Sequence, residues 1–411
     1  MRQTSLFQKS CRLADLHIQG YVSPEFECVR EAFIDNFVHR GELGGACSVY
    51  HLGRKVVDLW GGVRNKQSGD PWERDTMVIV YSASKGLAAM TLAIAHSRGW
   101  LDYDERVCTY WPEFAQNGKE KITVRQLLAH QAGLFALDQP LDRDLVKDLD
   151  RLSVVLARQK PAWTAGTRQG YHAITLGFYE GELVRRVDPQ HRSLGEFFQD
   201  EIATPLGLSV YIRLPEAIPD SRLATISRPG LVQMLRDFGF RFTLETMNRD
   251  SNIARAMHGS ALAHDERQVY SRDLEVPSGG AVGTARAIAH AYSVFALGGW
   301  QLGLRPQTSS LLAAPAVPPA RGFYDEVLKV EGIQFSLGFM KPGTVWPFGT
   351  ASSFGSPGAG GSLGFADPEF GVGYAYVTSQ MGTCLTGDPR DVALRDAFYS
   401  VVPRSSSAAA A

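Results

Sequence analysis

Ser82 and Lys85 stand one helical turn apart in Val80-Tyr81-Ser82-Ala83-Ser84-Lys85-Gly86-Leu87, a spacing that can make a nucleophile. A serine hydroxyl attacks a carbonyl carbon poorly until another group takes its proton. A neighbouring lysine can take it if burial or a nearby charge lowers its pKa. The flanking pattern supplies the turn. Met77-Val78-Ile79-Val80 predicts a short strand, and Leu87, Met90, Thr91 and Ile94 then recur at helical spacing until Gly99. Ser82 is therefore expected at the start of a helix, where free N–H groups and the positive end of the helix dipole suit a developing oxyanion. S-x-x-K is short enough to arise by chance as a serine cap beside a surface lysine. Here it occurs once, at a strand-to-helix junction.

Other elements must position this pair. Ser23-Pro24 reads as an N-cap with proline at the first helical position, followed by the apolar stripe Phe26, Val29, Ala32, Phe33, Phe37 and a stop at Gly41. Ala46–Tyr50 and Lys55–Trp60 predict a hairpin around His51-Leu52-Gly53-Arg54. From Leu101 the pattern turns helical and loop-rich. A short helix is expected at Ile122–His130 with Thr123 as cap, one amphipathic helix over Asp142–Gln159, and further helices over Ile174–Val187 and Ser193–Ile202. The loop Pro161–Gly170 delivers Tyr171. Residues 231–272 resist assignment. Thr284 caps another expected helix, Thr308–Arg321 reads as a loop, and Ile333–Met340 alternates as one strand. Ser362–Ala366 and Val372–Thr378 are strand-like, and Asp388–Val402 closes the chain as a helix.

This order predicts an α/β (α+β) fold: one antiparallel sheet built from both ends of the chain and flanked by helices, with a largely helical region inserted between them. The expected division is an N-terminal arm (1–21), a discontinuous sheet domain (22–104 and 281–403), a mainly helical domain over the active site (105–280) and a disordered tail (404–411).

Composition narrows the function. The 411 residues are 44% hydrophobic and 21% charged with a net charge of −1, as in ordinary globular proteins. No basic block suggests nucleic acid, and no apolar run is long enough to span a membrane. The first twenty residues lack the apolar core of a secretory signal. Five scattered cysteines without C-x-x-C pairing fit a reducing compartment, so a cytoplasmic location is expected, with no metal and no cofactor.

The motifs in order resemble the serine β-lactamase and penicillin-binding-protein superfamily, in the class C-like branch that holds family VIII carboxylesterases and lovastatin-type acyltransferases. The resemblance covers most of residues 22–402. Ser82-Ala83-Ser84-Lys85 is similar to the nucleophile motif, and Trp100–Asp104 and Tyr110–Phe114 to the segment after it. Ile122-Thr123-Val124-Arg125-Gln126-Leu127-Leu128-Ala129-His130-Gln131-Ala132-Gly133-Leu134 resembles the most distinctive family block. Tyr171-His172-Ala173 falls where the branch carries Y-x-N, which implies that Tyr171 serves as general base for Ser82 or shares its proton through Lys85. Ala173 departs from the lactamase asparagine. The third motif, K-T-G, H-x-G or W-G-G in relatives, falls on Ser356-Pro357-Gly358. Serine at its first position removes a group that would grip a substrate carboxylate. The resemblance further implies that Gly358 allows a close backbone approach and that the N–H groups of Ser82 and Ala359 form the oxyanion hole.

Those residues predict a serine hydrolase of small carboxylic esters acting through a Ser82 acyl-enzyme. The catalytic set is Ser82, Lys85 and Tyr171; Ser356, Gly358 and Ala359 form the third motif, and His172 and Gly360 contact substrate. Alternatives are an acyltransferase using the same acyl-enzyme, a weak β-lactamase or D-amino-acid peptidase, and a non-catalytic binding or assembly protein. The expected partner is a small ester, with neither nucleic acid nor membrane. As candidate catalytic groups His130, His172 and His258 each read better as structural histidines, Gly279-Gly280 reads as backbone packing near the pocket, and Asp102, Asp104 and Glu105 as loop and capping residues.

Overall fold

The computed structural model describes residues 17–230, 248–264, 269–384 and 387–402. The chain opens with strand β1 (Ile18–Val22), helix α1 (Glu27–His39) and the hairpin of β2 (Gly44–His51) and β3 (Arg54–Gly62). A short strand β4 (Val78–Ile79) leads through the turn Tyr81–Ala83 into α2 (Ser84–Ser97). The middle holds α3 (Val124–Leu128), α4 (Arg143–Lys147), α5 (Leu149–Arg158), α6 (Thr175–Val187) and α7 (Leu194–Phe198). Strand β5 (Val210–Tyr211), α8 (Asn252–Ala256), β6 (Val282–Gly283), α9 (Ala285–Ala296) and α10 (Pro306–Ala313) follow. The last part carries the small hairpin β7 (Tyr324–Asp325) and β8 (Val330–Glu331), then β9 (Gln334–Ser336) and β10 (Phe339–Lys341). Strands β11 (Phe354–Pro357), β12 (Leu363–Asp367) and β13 (Val372–Thr378) precede the closing helix α11 (Pro389–Tyr399).

One antiparallel sheet, ordered β1-β3-β2-β13-β12-β11-β10-β9, takes its strands from both ends of the chain. The join is β2 on β13, with Val372 opposite His51 and Thr378 opposite Gly45. Alternating side chains on these strands feed two layers. Val49, Leu59, Phe365 and Tyr374 meet Phe33 of α1 and Leu394 and Phe398 of α11 on one face. Ala366, Ala375 and Val377 meet Ile288, Ala291 and Tyr292 of α9 on the other, where the core continues into α2 and the middle helices.

Helix α2 is the centre of that second layer. Every residue from Ser84 to Ser97 is buried. A helix apolar on all sides needs neighbours on all sides, and α2 packs against α6, α7, α10, β10 and β11. Burial of Leu87, Met90, Leu92 and Ile94 stabilises the fold by about 1.5–3 kcal/mol each. Among the described residues, no helix is long and apolar enough to cross a membrane.

Several expectations need correction. Residues 18–22 are not part of an arm: β1 pairs antiparallel with β3, Ile18 opposite Gly61 and Val22 opposite Val57. Residues 1–16, the tail 404–411, and 231–247 and 265–268 of the unassigned stretch lie outside the described residues. Asp142–Gln159 is two helices, because the Asp148 side chain accepts from Arg151 N–H and so caps a new one. The expected loop at Thr308 is inside α10, which Pro306 starts. Ile333–Met340 is a hairpin, not one strand. Leu337 (φ 52°) and Gly338 (φ 87°) are both left-handed, forming a two-residue turn that puts Phe339 opposite Ser336. Ser23 flanks the first helical turn, yet its hydroxyl pairs with the Tyr21 phenol and makes no cap bond. Thr123 and Thr284 cap their helices as expected, and Ser193 and Asp388 cap the helices expected to begin there.

Candidate active site

The Ser82 turn is held from two sides. Strand β4 pairs with β6, and Val80 N–H donates to the Ala281 carbonyl at 2.9 Å. Tyr81 then turns the chain with φ 47°, a costly conformation for a tyrosine. Ser84 Oγ donates to the Tyr81 carbonyl and accepts from Ala281 N–H, which secures the turn. Ser82 lies in the first turn that follows, and its N–H meets no backbone acceptor among the described residues.

Lys85 Nζ lies 3.2 Å from Ser82 Oγ. It donates to the carbonyls of Ala173 at 2.7 Å and Ser278 at 2.9 Å. Burial lowers its pKa to about 7, with Glu180 pulling the other way. A neutral amine has two N–H groups, and these carbonyls use both. Its lone pair is then left facing the Ser82 hydroxyl, which is the geometry of a base.

Tyr171 completes the cluster. Its ring centroid is 4.8 Å from Lys85 Nζ, and its ring stacks on Phe335 at 5.7 Å. Its backbone N–H donates to Asp325 Oδ1 at 3.2 Å, and the same oxygen accepts from Val327 and Leu328 N–H. Burial raises the phenol's pKa above its ordinary value, while its hydrogen bond with Ser82 opposes the rise. The neutral phenol is thus the favoured form, better suited to passing a proton than to holding a negative charge.

The third motif approaches from β11. Ser356 is opposite Gly364, so its side chain faces the helical layer, and its Oγ donates to the Ser82 carbonyl at 2.6 Å. Gly358 is required by contact: a Cβ there would stand 2.1 Å from the Val80 carbonyl oxygen. Ala359 follows at an exposed bend, and its N–H meets no backbone acceptor among the described residues. The carbonyl of Gly360 is held by Gly382 N–H at 2.9 Å and Arg390 Nη2 at 3.0 Å. Arg390 is itself paired with Asp388 at 2.7 Å, so α11 braces this bend.

These groups line one cavity of about 290 Å³. Its remaining wall is mostly apolar: Ile253, Met257, Val327, Leu328, Phe335, Met340, Trp346, Leu363 and Met381. Asp388 and Asp391 also line it, but each is engaged by an arginine of α11. Among the described residues, Lys85 is the only cation in the lining.

The structure thus gathers Ser82, Lys85, Tyr171, Ser356, Gly358, Ala359 and Gly360 around one cavity. It does not bring His172 there. That side chain is fully buried behind the wall, where its Nε2 accepts from Leu134 N–H at 2.9 Å. Burial depresses its pKa to about 3. His130 touches the cavity, but its Nδ1 accepts from His172 N–H at 2.9 Å, which commits it to holding the backbone just after Tyr171. His258 is exposed and outside the lining. Asp102, Asp104 and Glu105 serve the loop, with Asp104 bound to Arg125 at 2.6 Å. Sequence reasoning missed Asp325, Ser278, Glu180 and Arg390. Ser278, beside the noted Gly279-Gly280, acts through a main-chain carbonyl, and the other three carry no local motif.

The Beta-lactamase family model matches residues 30–397. Esterase/beta-lactamase LipL of Mycobacterium tuberculosis is 34% identical over 379 residues, spanning 90% of this chain and 84% of that protein. A solved family VIII carboxylesterase superposes with a TM-score of 0.82 at 34% identity, covering 94% of this chain and 100% of that chain. A penicillin-binding protein homologue from Caulobacter crescentus gives a TM-score of 0.79 at 33% identity, again over 94% of this chain and 100% of that chain. The chain belongs to the Beta-lactamase family and is a hydrolase with the β-lactamase/transpeptidase-like fold.

Proposed function

We propose that the protein is a serine carboxylesterase that cleaves small carboxylic esters through an acyl-enzyme on Ser82. The observation that carries this reading is the Lys85 amine, 3.2 Å from Ser82 Oγ, buried and poised near neutrality. Lys85 takes the hydroxyl proton as Oγ bonds to the acyl carbon. The N–H groups of Ser82 and Ala359 hold the negative oxygen. The ester C–O bond then breaks, and the leaving alkoxide receives the proton from Lys85 through the Tyr171 phenol. Water repeats the sequence: Lys85 takes its proton, its oxygen bonds to the acyl carbon, and Ser82 leaves reprotonated. Because burial disfavours the phenolate, Tyr171 works as a neutral relay and Lys85 as the base.

Neutral esters suit the cavity better than anionic β-lactams. Its wall is apolar, and no described cation except Lys85 faces it to pair with a ring carboxylate. Hydrolysis of p-nitrophenyl acetate and butyrate by wild type, Ser82→Ala and Tyr171→Phe, with an acyl-enzyme mass shift as second readout, tests the reading. Wild-type activity and the mass shift are expected to vanish in Ser82→Ala. Activity that survives that substitution sinks the mechanism. Nitrocefin is expected to turn over much more slowly than the esters, and the reverse order would favour a lactamase.

A further inference from the structure

Glu180 is a buried acid that the reaction scheme leaves unused. It lies on α6 with 0% exposure, and neither carboxyl oxygen has a hydrogen-bond partner among the described residues. Burying a carboxyl unpaired is strongly unfavourable, and a leucine of similar size would avoid the penalty.

Gly338, in the β9–β10 turn, defines where the carboxyl sits. A Cβ built on Gly338 would be 2.8 Å from Glu180 Oε1 and 2.7 Å from Ala89 Cβ. Gly338 lines the cavity, and Ala89 is one turn beyond Lys85 on the same face of α2. The acid is thus enclosed between the cavity wall and the helix face that carries the lysine. Lys85 is the charged group that acts on it. The phenol of Tyr103, from the loop after α2, is the other ionisable group that feels it, and is likewise buried and unpartnered. Arg125 of α3 is bound to Asp104, and on α6 itself Glu182 is bound to Arg185 and Arg186.

We propose that Glu180 is a positioning residue for the Lys85 amine: its carboxyl, against the Gly338 turn beside the face of α2 that carries Lys85, sets how tightly that amine holds the proton taken from Ser82. The role in catalysis rests on the esterase reading above, whereas the action on Lys85 does not. A carboxylate at this place favours the ammonium, and Lys85 in turn favours the carboxylate. Burial opposes both charges, which leaves Glu180 raised to about 8 and Lys85 lowered to about 7. Two groups so close in affinity titrate as a pair near neutrality.

Lysine Cε NMR shifts followed from about pH 5 to about pH 10 read this directly, with the Lys85 signal assigned by its loss in Lys85→Arg. In Glu180→Gln and Glu180→Leu the Lys85 midpoint is expected about one pH unit below that of wild type. The acid limb of kcat/KM for p-nitrophenyl butyrate is expected to move down with it. Glu180→Leu is expected to melt no lower than wild type, and Glu180→Gln carries the test if the leucine variant fails to fold. An unmoved Lys85 midpoint overturns the assignment. A moved midpoint in a protein without ester hydrolysis supports the action on Lys85 while ending the esterase reading.

Discussion

The Ser356 hydroxyl donates a hydrogen bond to the backbone carbonyl of Ser82 at 2.6 Å. It ties β11 to the turn that carries the candidate nucleophile. Sequence reasoning assigned Ser356 to the absence of a carboxylate-gripping cation. Its position gives it a second job, to set the distance between strand and serine.

Ser356→Ala is accordingly expected to cost about 1 kcal/mol of stability, the net worth of one buried hydrogen bond. It should lower kcat more than it changes KM, because substrate loses no partner. Urea denaturation and steady-state kinetics check both parts. Equal loss in Ser356→Ala and Ser356→Thr, which can keep the bond, would argue against the tie.

Gly358→Ala should be far more damaging. The added carbon would stand 2.1 Å from the Val80 carbonyl oxygen and push β11 off the Ser82 turn. Displacing an oxyanion donor costs on the order of 100-fold in kcat. Ester hydrolysis by a folded variant, verified by circular dichroism, measures it. A near-normal kcat would remove Ala359 from the proposed oxyanion hole.

Asp325 has one oxygen that accepts from the N–H groups of Tyr171, Val327 and Leu328. Asp325→Ala leaves these donors without a partner and is expected to cost about 2–3 kcal/mol. KM for p-nitrophenyl butyrate should rise, since Val327 and Leu328 are cavity wall. Asp325→Asn keeps an acceptor and should behave much more like wild type.

The pH dependence of catalysis follows from Lys85. The amine must be neutral to take a proton, so kcat/KM is expected to rise with pH through about 7. A pH–rate profile that is flat across this range would exclude Lys85 as the base.

Stability should carry the opposite slope from Glu180. Its carboxyl is raised from 4.5 to about 8, so the folded protein holds this proton more tightly than the unfolded chain. Its contribution is fully present below the unfolded value and is lost as pH rises through about 8. Between about pH 5 and about pH 8, Glu180→Gln should therefore lose less stability than wild type, as read from urea midpoints.

The legible parts of the sequence were those with local periodicity or a local cap. The β2–β3 hairpin, α2 and the Thr123, Ser193 and Thr284 caps all declare themselves within a few residues. The turn inside Ile333–Met340 did not, because its first left-handed position is Leu337, an apolar residue that keeps the strand pattern intact. The motif residues around Ser82 were legible through their order along the chain. The cavity wall was not, since Ile253, Leu328, Trp346 and Met381 come from separate segments that only the tertiary fold joins. His172 misled because it adjoins Tyr171 in sequence, while its own side chain turns to the Leu134 backbone.

The brace from Arg390 to the Gly360 carbonyl has a consequence for biosynthesis. Ser82, Lys85 and Tyr171 leave the ribosome long before α11, which is made after every other part of the cluster. A nascent chain can therefore hold Ser82 without the helix that fixes the bend beside it. Translation order leaves the Gly360 bend without its brace until the last helix docks.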